Sequence, residues 1–232
     1  KYGVQVDLGT PTIPYQESLK GKADVRYRHR KQTGGAGQFG EVFMRVERGE
    51  PGCGLQFIDA IRGGSIPNQL IPSVEKGVRS TMERGILAGF PVVDVRVELY
   101  DGKFHPVDSK DIAFQIAGRQ AMKKAGEEAG MALLEPIYEV EVVVPEVNTG
   151  DIMGDMNQRR ARILSMEGRG RNSVVKAHVP LAEMLNYAPS LKSITGGKGS
   201  YSMEYHQHQA VPAAMQDKLV KDVNRLQHSD ED

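Results

Sequence analysis

Cysteine, net charge and long apolar runs are what this 232-residue chain has least of. A lone cysteine, Cys53, excludes a disulfide framework and a cysteine-based metal centre, and it fits a reducing compartment. Lys+Arg and Asp+Glu each number 30, so the formal net charge is zero. A generic nucleic-acid binder is strongly basic, so any RNA contact here has to come from local patches. No apolar run approaches the roughly 18 residues of a membrane span, and no signal peptide opens the chain. A cytoplasmic location without membrane contact is expected. There is no Gly-x-Ser-x-Gly elbow and no Cys/His pair with evident roles, so no catalytic residue is expected. The start, Lys1-Tyr2-Gly3-Val4, has no initiator methionine and reads like the interior of a longer protein.

What is present is concentrated in residues 26–46. Arg26, Arg28 and Arg30 alternate with Tyr27 and His29, the period of an extended strand with one cationic face. Val42, Met44 and Val46 then alternate with Phe43, Arg45 and Glu47 in a partner strand. Between them Thr33-Gly34-Gly35-Ala36-Gly37-Gln38 is too rich in glycine for a helix and suits a projecting hairpin tip. A cationic strand leading to exposed backbone amides is suited to an anionic partner.

Further along, the spacing predicts a strand over 55–59, an amphipathic helix over about 68–87 and a strand through Val93, Val95, Val97 and Leu99. A turn is expected at 100–103. A helix then follows, N-capped by Asp108 or Ser109, with Ile112, Ala113, Ile116, Ala117, Ala121 and Ala125 on its buried face. Residues 1–22 read as a leading segment along a domain edge, and 132–136 as a linker. Beyond it come a strand through Val140, Val142 and Val144, a helix over 150–160, strands over 163–167 and 173–179, a helix over 180–191 and a strand over 200–207. That β-α-β-β-α-β order is ferredoxin-like. A terminal amphipathic helix carries Met215, Leu219, Val223 and Leu226 before an acidic tail.

Several motifs fail on context. Gly35-x-Gly37-x-x-Gly40 fits a dinucleotide fingerprint, but it opens a second strand where the fingerprint needs a helix. The same glycines fit a kinase loop, yet no strand lysine, His-Arg-Asp or Asp-Phe-Gly follows. Gly196-Gly197-Lys198-Gly199-Ser200 lacks the order of a phosphate-binding loop and suits a turn. His206 and His208 alternate on a strand with no further ligand at metal spacing, so no metal site is expected. His105, in a loop between a strand and a helix, either caps local backbone or contacts a partner, and the residues alone leave both open. Arg159, Arg160, Arg162, Arg169, Arg171 and Lys176 form a basic cluster that either complements a helix end or docks on RNA. Strand aromatics of the RNA-recognition type are missing, which favours backbone and shape contacts over base stacking.

Taken in order, these motifs resemble translation elongation factor G. Residues 27–40, Tyr-Arg-His-Arg-Lys-Gln-Thr-Gly-Gly-Ala-Gly-Gln-Phe-Gly, look like the tip of that family's fourth domain. Pro-Ser-Val-Glu-Lys-Gly at 72–77, Gly-Ile-Leu-Ala-Gly-Phe-Pro-Val-Val-Asp-Val at 85–95 and Asp-Gly-Lys-Phe-His-Pro-Val-Asp-Ser at 101–109 continue the resemblance. Leu-Glu-Pro-Ile at 134–137, Gly-Asp-Met-Asn-Gln-Arg-Arg at 154–160 and Pro-Leu-Ala-Glu-Met at 180–184 carry it through the fifth domain. Ala36 and Glu41 depart from it and make the tip less cationic than the family pattern.

The resemblance implies a two-domain α+β fold. A domain IV with a βαβ crossover, of the kind seen in ribosomal proteins, would span 1–131, a ferredoxin-like domain V 132–211, and a C-terminal helix with tail 212–232. It implies the tRNA-mimicking arm of a ribosomal translocase or of a divergent paralogue of one, with ribosome, tRNA and mRNA as partners and the chain as a monomer. GTP and magnesium would belong to a G domain outside this chain, with no cofactor in the chain itself. Contact with tRNA, mRNA and the decoding site would fall to Arg26, Arg28, Arg30, Gly34, Gly35, Gly37, Gln38 and His105. Contact with large-subunit RNA would fall to Arg159, Arg160, Arg162, Arg169 and Lys176. Alternatives are a ribosome recycling or rescue factor using the same arm, and a non-ribosomal RNA- or protein-binding module.

Overall fold

The structure, a computed structural model, describes residues 12–32 and 37–229. They fall into two compact units, 15–134 with 210–229, and 135–209 with 12–14. We call these the hairpin unit and the ferredoxin-like unit.

The hairpin unit holds β1 (Gln16–Leu19), β2 (Lys22–Lys31), β3 (Gln38–Arg48) and β4 (Leu55–Asp59). They are followed by α1 (Ile71–Arg84), β5 (Val95–Lys103) and α2 (Asp111–Ala129). Its main sheet has the order β2-β3-β5-β4, with β4 and β5 parallel and α1 between them in sequence, the βαβ crossover. Alternation decides the faces of β2: Val25, Tyr27 and His29 turn inward, while Arg26, Arg28 and Arg30 stay exposed. Val42, Met44 and Val46 of β3 and Val95, Val97 and Leu99 of β5 pack with Val74, Val78 and Phe114 in one core. Fully burying each such side chain stabilises by about 1.5–3 kcal/mol.

Four expectations are corrected in this unit. The turn at 100–103 is strand, because a bulge between Phe43 and Met44 lets β5 continue along β3. Neither Asp108 nor Ser109 caps α2; Lys110 holds that position, and both residues are tied to the hairpin instead. The buried face of α2 includes Phe114 and Met122, while Ile112 is exposed, so the helix is rotated from the expected phase. Part of the leading segment is a strand, β1, pairing antiparallel with Met131–Leu134.

β1 delivers Glu17, which is fully buried. Its carboxylate accepts the backbone N–H groups of Ile86 (2.7 Å), Leu87 (2.8 Å), Ala88 (2.7 Å) and Phe90 (3.1 Å). One side chain thereby satisfies a loop of amides that would otherwise be buried without partners.

The expected linker at 132–136 is also strand. β6 (Met131–Pro145) runs through it, with Leu133 fully buried. In the ferredoxin-like unit, β6 is followed by α3 (Thr149–Gln158), β7 (Arg162–Arg169), β8 (Asn172–Pro180), α4 (Leu181–Met184), α5 (Tyr187–Thr195) and β9 (Ser200–Ala210). β7 pairs with β8, β8 with β6 and β9 with β6, a ferredoxin-like sheet. Val140, Val142 and Val144 meet Ile152, Met156, Tyr187 and Leu191 in its core. The single helix expected over 180–191 is two, interrupted between Met184 and Tyr187. The last element, α6 (Ala213–Ser229), belongs to the hairpin unit, where Gln216 donates to Met131 O and accepts from Leu133 N–H. Met215, Leu219 and Val223 are half-buried on it, and the Leu226 side chain lies outside the described residues.

Candidate nucleic-acid interface

In the β2–β3 register, Arg28 faces Glu41, Arg26 faces Phe43 and Arg30 faces Phe39. Glu41 is fully buried, and both Arg26 and Arg28 donate to its carboxylate, Arg28 at 3.2 Å. Burial pushes the Glu41 carboxyl up, but the hydrogen bonds and charges of Arg26 and Arg28 outweigh it and hold the group below its ordinary value. Two guanidiniums of the cationic stripe therefore share one carboxylate, and each stays about half exposed. Arg26 also lies 5.1 Å from the centre of the Phe43 ring. Arg30 and Lys31 make no ion pair among the described residues.

At the tip end the loop after β5 is fastened to the hairpin. Phe39 N–H donates to Asp108 O (3.0 Å), and Ser109 Oγ donates to Phe39 O (2.8 Å) while accepting from His105 N–H (2.8 Å). His105 Nδ1 accepts the backbone N–H groups of Val107 and Asp108, both at 3.3 Å. Asp108 Oδ2 also lies 3.5 Å from Nδ1. A nitrogen that accepts from amides carries no proton, so these two bonds favour the tautomer with the proton on Nε2. Gly37 sits so close to Asp108 that an added Cβ would fall 2.8 Å from its carboxyl carbon. Arg30, Lys31, Gln32, Gly37, Gln38, Phe39, His105 and Asp108 line a pocket of about 300 Å³.

The structure thus brings Arg30, Gly37, Gln38 and His105 together, and sets Arg26 and Arg28 apart from them on Glu41. Gln38 Oε1 lies 2.9 Å from His29 Nε2. Lys31 and Gln32 also line the pocket; Lys31 ends β2 out of phase with Arg26, Arg28 and Arg30, and Gln32 follows the strand, so alternation does not point to them. Gly34 and Gly35, with Thr33 and Ala36, lie outside the described residues.

The basic cluster of the ferredoxin-like unit divides differently. Arg159 donates to Asp155 Oδ2 (2.8 Å), Glu183 O (2.6 Å) and Ser190 Oγ (2.9 Å), and its guanidinium lies 5.0 Å from the Tyr187 ring centre. Arg160 makes a two-pronged pair with buried Glu135 (2.8 and 2.9 Å) and a third bond to Glu183 (2.9 Å). Hydrogen bonds to Glu135, working against burial and joined by Glu183, hold Arg160 above its ordinary pKa. Arg159 and Arg160 are therefore committed inside the unit. Lys176 pairs with Glu141 at 3.4 Å, while Arg162 and Arg169 are exposed on β7 without an ion pair among the described residues.

Gly196, in the left-handed conformation, ends α5, and Gly197 N–H donates to Lys192 O. The loop follows a helix C-terminus, the negative end of the dipole, so it does not suit a nucleotide phosphate. Among the described residues one set could hold a metal ion: Glu139, His178 and His206. It escaped the sequence reading because its members come from three different strands. Tyr205 and Pro14 instead occupy the two ring nitrogens of His208.

A basic hairpin braced by a histidine loop, joined in one chain to a ferredoxin-like unit, defines a two-unit α+β protein whose candidate site is a basic surface at the hairpin end. Residues 11–130 match the family Elongation factor G, domain IV, and residues 132–219 match Elongation factor G C-terminus. The chain belongs to the elongation factor G family. It is 50% identical over 220 residues to an elongation factor G of Aquifex pyrophilus, covering 95% of this chain and 32% of that protein. It is also 50% identical over 225 residues to an elongation factor G-like protein of Thermotoga maritima, covering 97% of this chain and 33% of that protein. A crystal structure of a Thermus thermophilus protein superposes with a TM-score of 0.82 at 42% identity, covering 97% of this chain and 34% of that one. The chain spans about a third of the length of the curated relatives it matches.

Proposed function

We propose that this chain is the tRNA-mimicking arm of an elongation-factor-G-type translocase, with domain IV over about 1–131, domain V over 132–211 and a terminal helix beyond. The observation that supports it is the pocket of about 300 Å³ at the hairpin end, where Arg30, Lys31, Gln38 and His105 come together beside Asp108. Arg30 and Lys31 neutralise phosphates of the tRNA–mRNA backbone, and His105 donates to a phosphate or ribose oxygen. The hairpin acts as a pawl against backward movement and performs no covalent chemistry.

Arg162, Arg169 and Lys176 face large-subunit RNA, with Arg159 and Arg160 holding the ferredoxin-like unit together beneath them. Ribosome, tRNA and mRNA are the partners, the chain acts as a monomer, and the compartment is the cytoplasm. No helix among the described residues is long and apolar enough to cross a membrane. GTP and magnesium belong to a separate G domain.

In a full-length factor, His105→Ala removes a hydrogen bond to a charged group worth about 1.5–3 kcal/mol, so mRNA movement slows roughly 10- to 100-fold. Ribosome-stimulated GTP hydrolysis stays near its original rate. An unchanged mRNA-shift rate in a stopped-flow assay would sink this role.

A further inference from the structure

Glu139 on β6 stands directly opposite His178 on β8 in the antiparallel register, and the His178 Nε2 lies 3.7 Å from a Glu139 carboxylate oxygen. β9, which also pairs with β6, supplies His206, whose ring stacks on His178 with centroids 4.1 Å apart and planes 22° from parallel. One ligand atom from each of the three residues lies within 4.8 Å of the others.

We propose that Glu139, His178 and His206 form a binding site for Zn²⁺ or a similar first-row transition-metal ion. Two imidazole nitrogens and one carboxylate oxygen are the donor set of open zinc sites, with water in the fourth position. Magnesium and calcium prefer all-oxygen shells, so the two histidines select against them. Tetrahedral zinc with bonds near 2.1 Å holds its ligand atoms roughly 3.4 Å apart. Closing from 4.8 Å requires the His178 and His206 rings to turn out of their stack toward one point, and Glu139 and His206 are exposed and have room to turn. His208 is not a competitor, because Tyr205 and Pro14 hold its ring nitrogens at 2.8 and 2.9 Å. A bound ion ties β6, β8 and β9 together and stabilises the ferredoxin-like unit by mass action. This site is independent of the proposed ribosomal role.

The test is titration of the 232-residue chain with Zn²⁺ by calorimetry, and with Co²⁺ by absorbance. One ion per chain is expected, with a rise in Tm on adding Zn²⁺. Glu139→Gln, His178→Gln and His206→Gln each weaken binding at least about 10-fold, while His208→Gln and His105→Gln leave it unchanged. Circular dichroism checks the fold. If His178→Gln fails to fold, the exposed Glu139→Gln and His206→Gln variants decide the matter. Absence of one-to-one binding, or binding that survives the His206→Gln/Glu139→Gln pair, overturns the site.

Discussion

Each unit buries one glutamate under arginine, and the two arrangements have opposite consequences. In the hairpin unit, Glu41 lies beneath Arg26 and Arg28, whose guanidiniums stay about half exposed and can still face a ligand. In the ferredoxin-like unit, Glu135 is 3% exposed, and Arg160 commits Nη1 and Nη2 to it and Nε to Glu183. A run of arginines in a sequence therefore gives the amount of charge but not its availability. Availability depends on which carboxylate folds beneath the run and how much of each guanidinium that carboxylate consumes.

The largest effect is expected where the pair is most enclosed. Arg160→Ala leaves Glu135 buried without its partner, a loss of about 3–5 kcal/mol. Arg160 has φ 57°, a left-handed conformation that strains any residue with a Cβ, so this strain is common to wild type and variants and cancels. Arg160→Lys separates charge from geometry, since it keeps a long side chain and the charge but loses the two-pronged pairing. Urea unfolding should rank wild type above Arg160→Lys and Arg160→Ala lowest. Equal midpoints for the three would break the comparison.

Glu41→Gln should cost less, about 1–2 kcal/mol, because the arginines it releases are exposed enough to rehydrate. Its pH dependence gives the sharper reading. A carboxyl whose folded pKa is lowered contributes stability above its ordinary value of 4.5 and loses it as pH falls through the folded value. Wild type should therefore lose more stability than Glu41→Gln on going from pH 5 to pH 3. The same substitution frees Arg26 and Arg28, so affinity for salt-washed ribosomes should rise and its salt dependence steepen. Parallel pH curves would show that Glu41 does not carry the ion pair.

Period-2 alternation makes the hairpin, Leu55–Asp59 and the ferredoxin-like order legible from residue order alone, because half-buried strands write their faces into the sequence. β1 is not legible, since Gln16–Leu19 is short and its partner Met131–Leu134 is remote in the chain. Glu135 and Pro136 suggest a linker because polar residues and proline usually mark one. Burial of Glu135 depends on Arg160, which no local window contains. For the same reason, resemblance and residue pattern name Arg159 and Arg160 as RNA contacts, while the fold commits both to internal bonds. His105 is visible as a displayed histidine, but the two amides that select its tautomer depend on how the loop closes.

Arg30→Gln and Lys31→Gln test the available charge directly. Each phosphate contact removed should flatten the slope of log affinity against log salt by about 0.7–0.9, and both substitutions should leave stability nearly unchanged. Arg162→Gln and Arg169→Gln should flatten the slope likewise if β7 faces RNA. Slopes indistinguishable from wild type for Arg30→Gln and Lys31→Gln would remove the pocket from the interface.

The smallest effect on stability, and the most specific for the pocket, is expected from Gly37→Ala. The added Cβ would fall 2.8 Å from both the carboxyl carbon and Oδ1 of Asp108. Asp108 is half-exposed and can swing aside, so the thermodynamic cost should stay under about 1 kcal/mol. Its main chain cannot move as freely, because Asp108 O holds Phe39 N–H and Asp108 N–H points at His105 Nδ1. Displacing the carboxylate therefore reshapes the pocket while leaving the hairpin braced. Translocation in a full-length factor should slow with little change in unfolding midpoint, the reverse of Arg160→Ala, which should unfold early. If Gly37→Ala lowered stability as much as Arg160→Ala, the tip would be part of the structural core, and the distinction between available and committed charge would fail at its most exposed point.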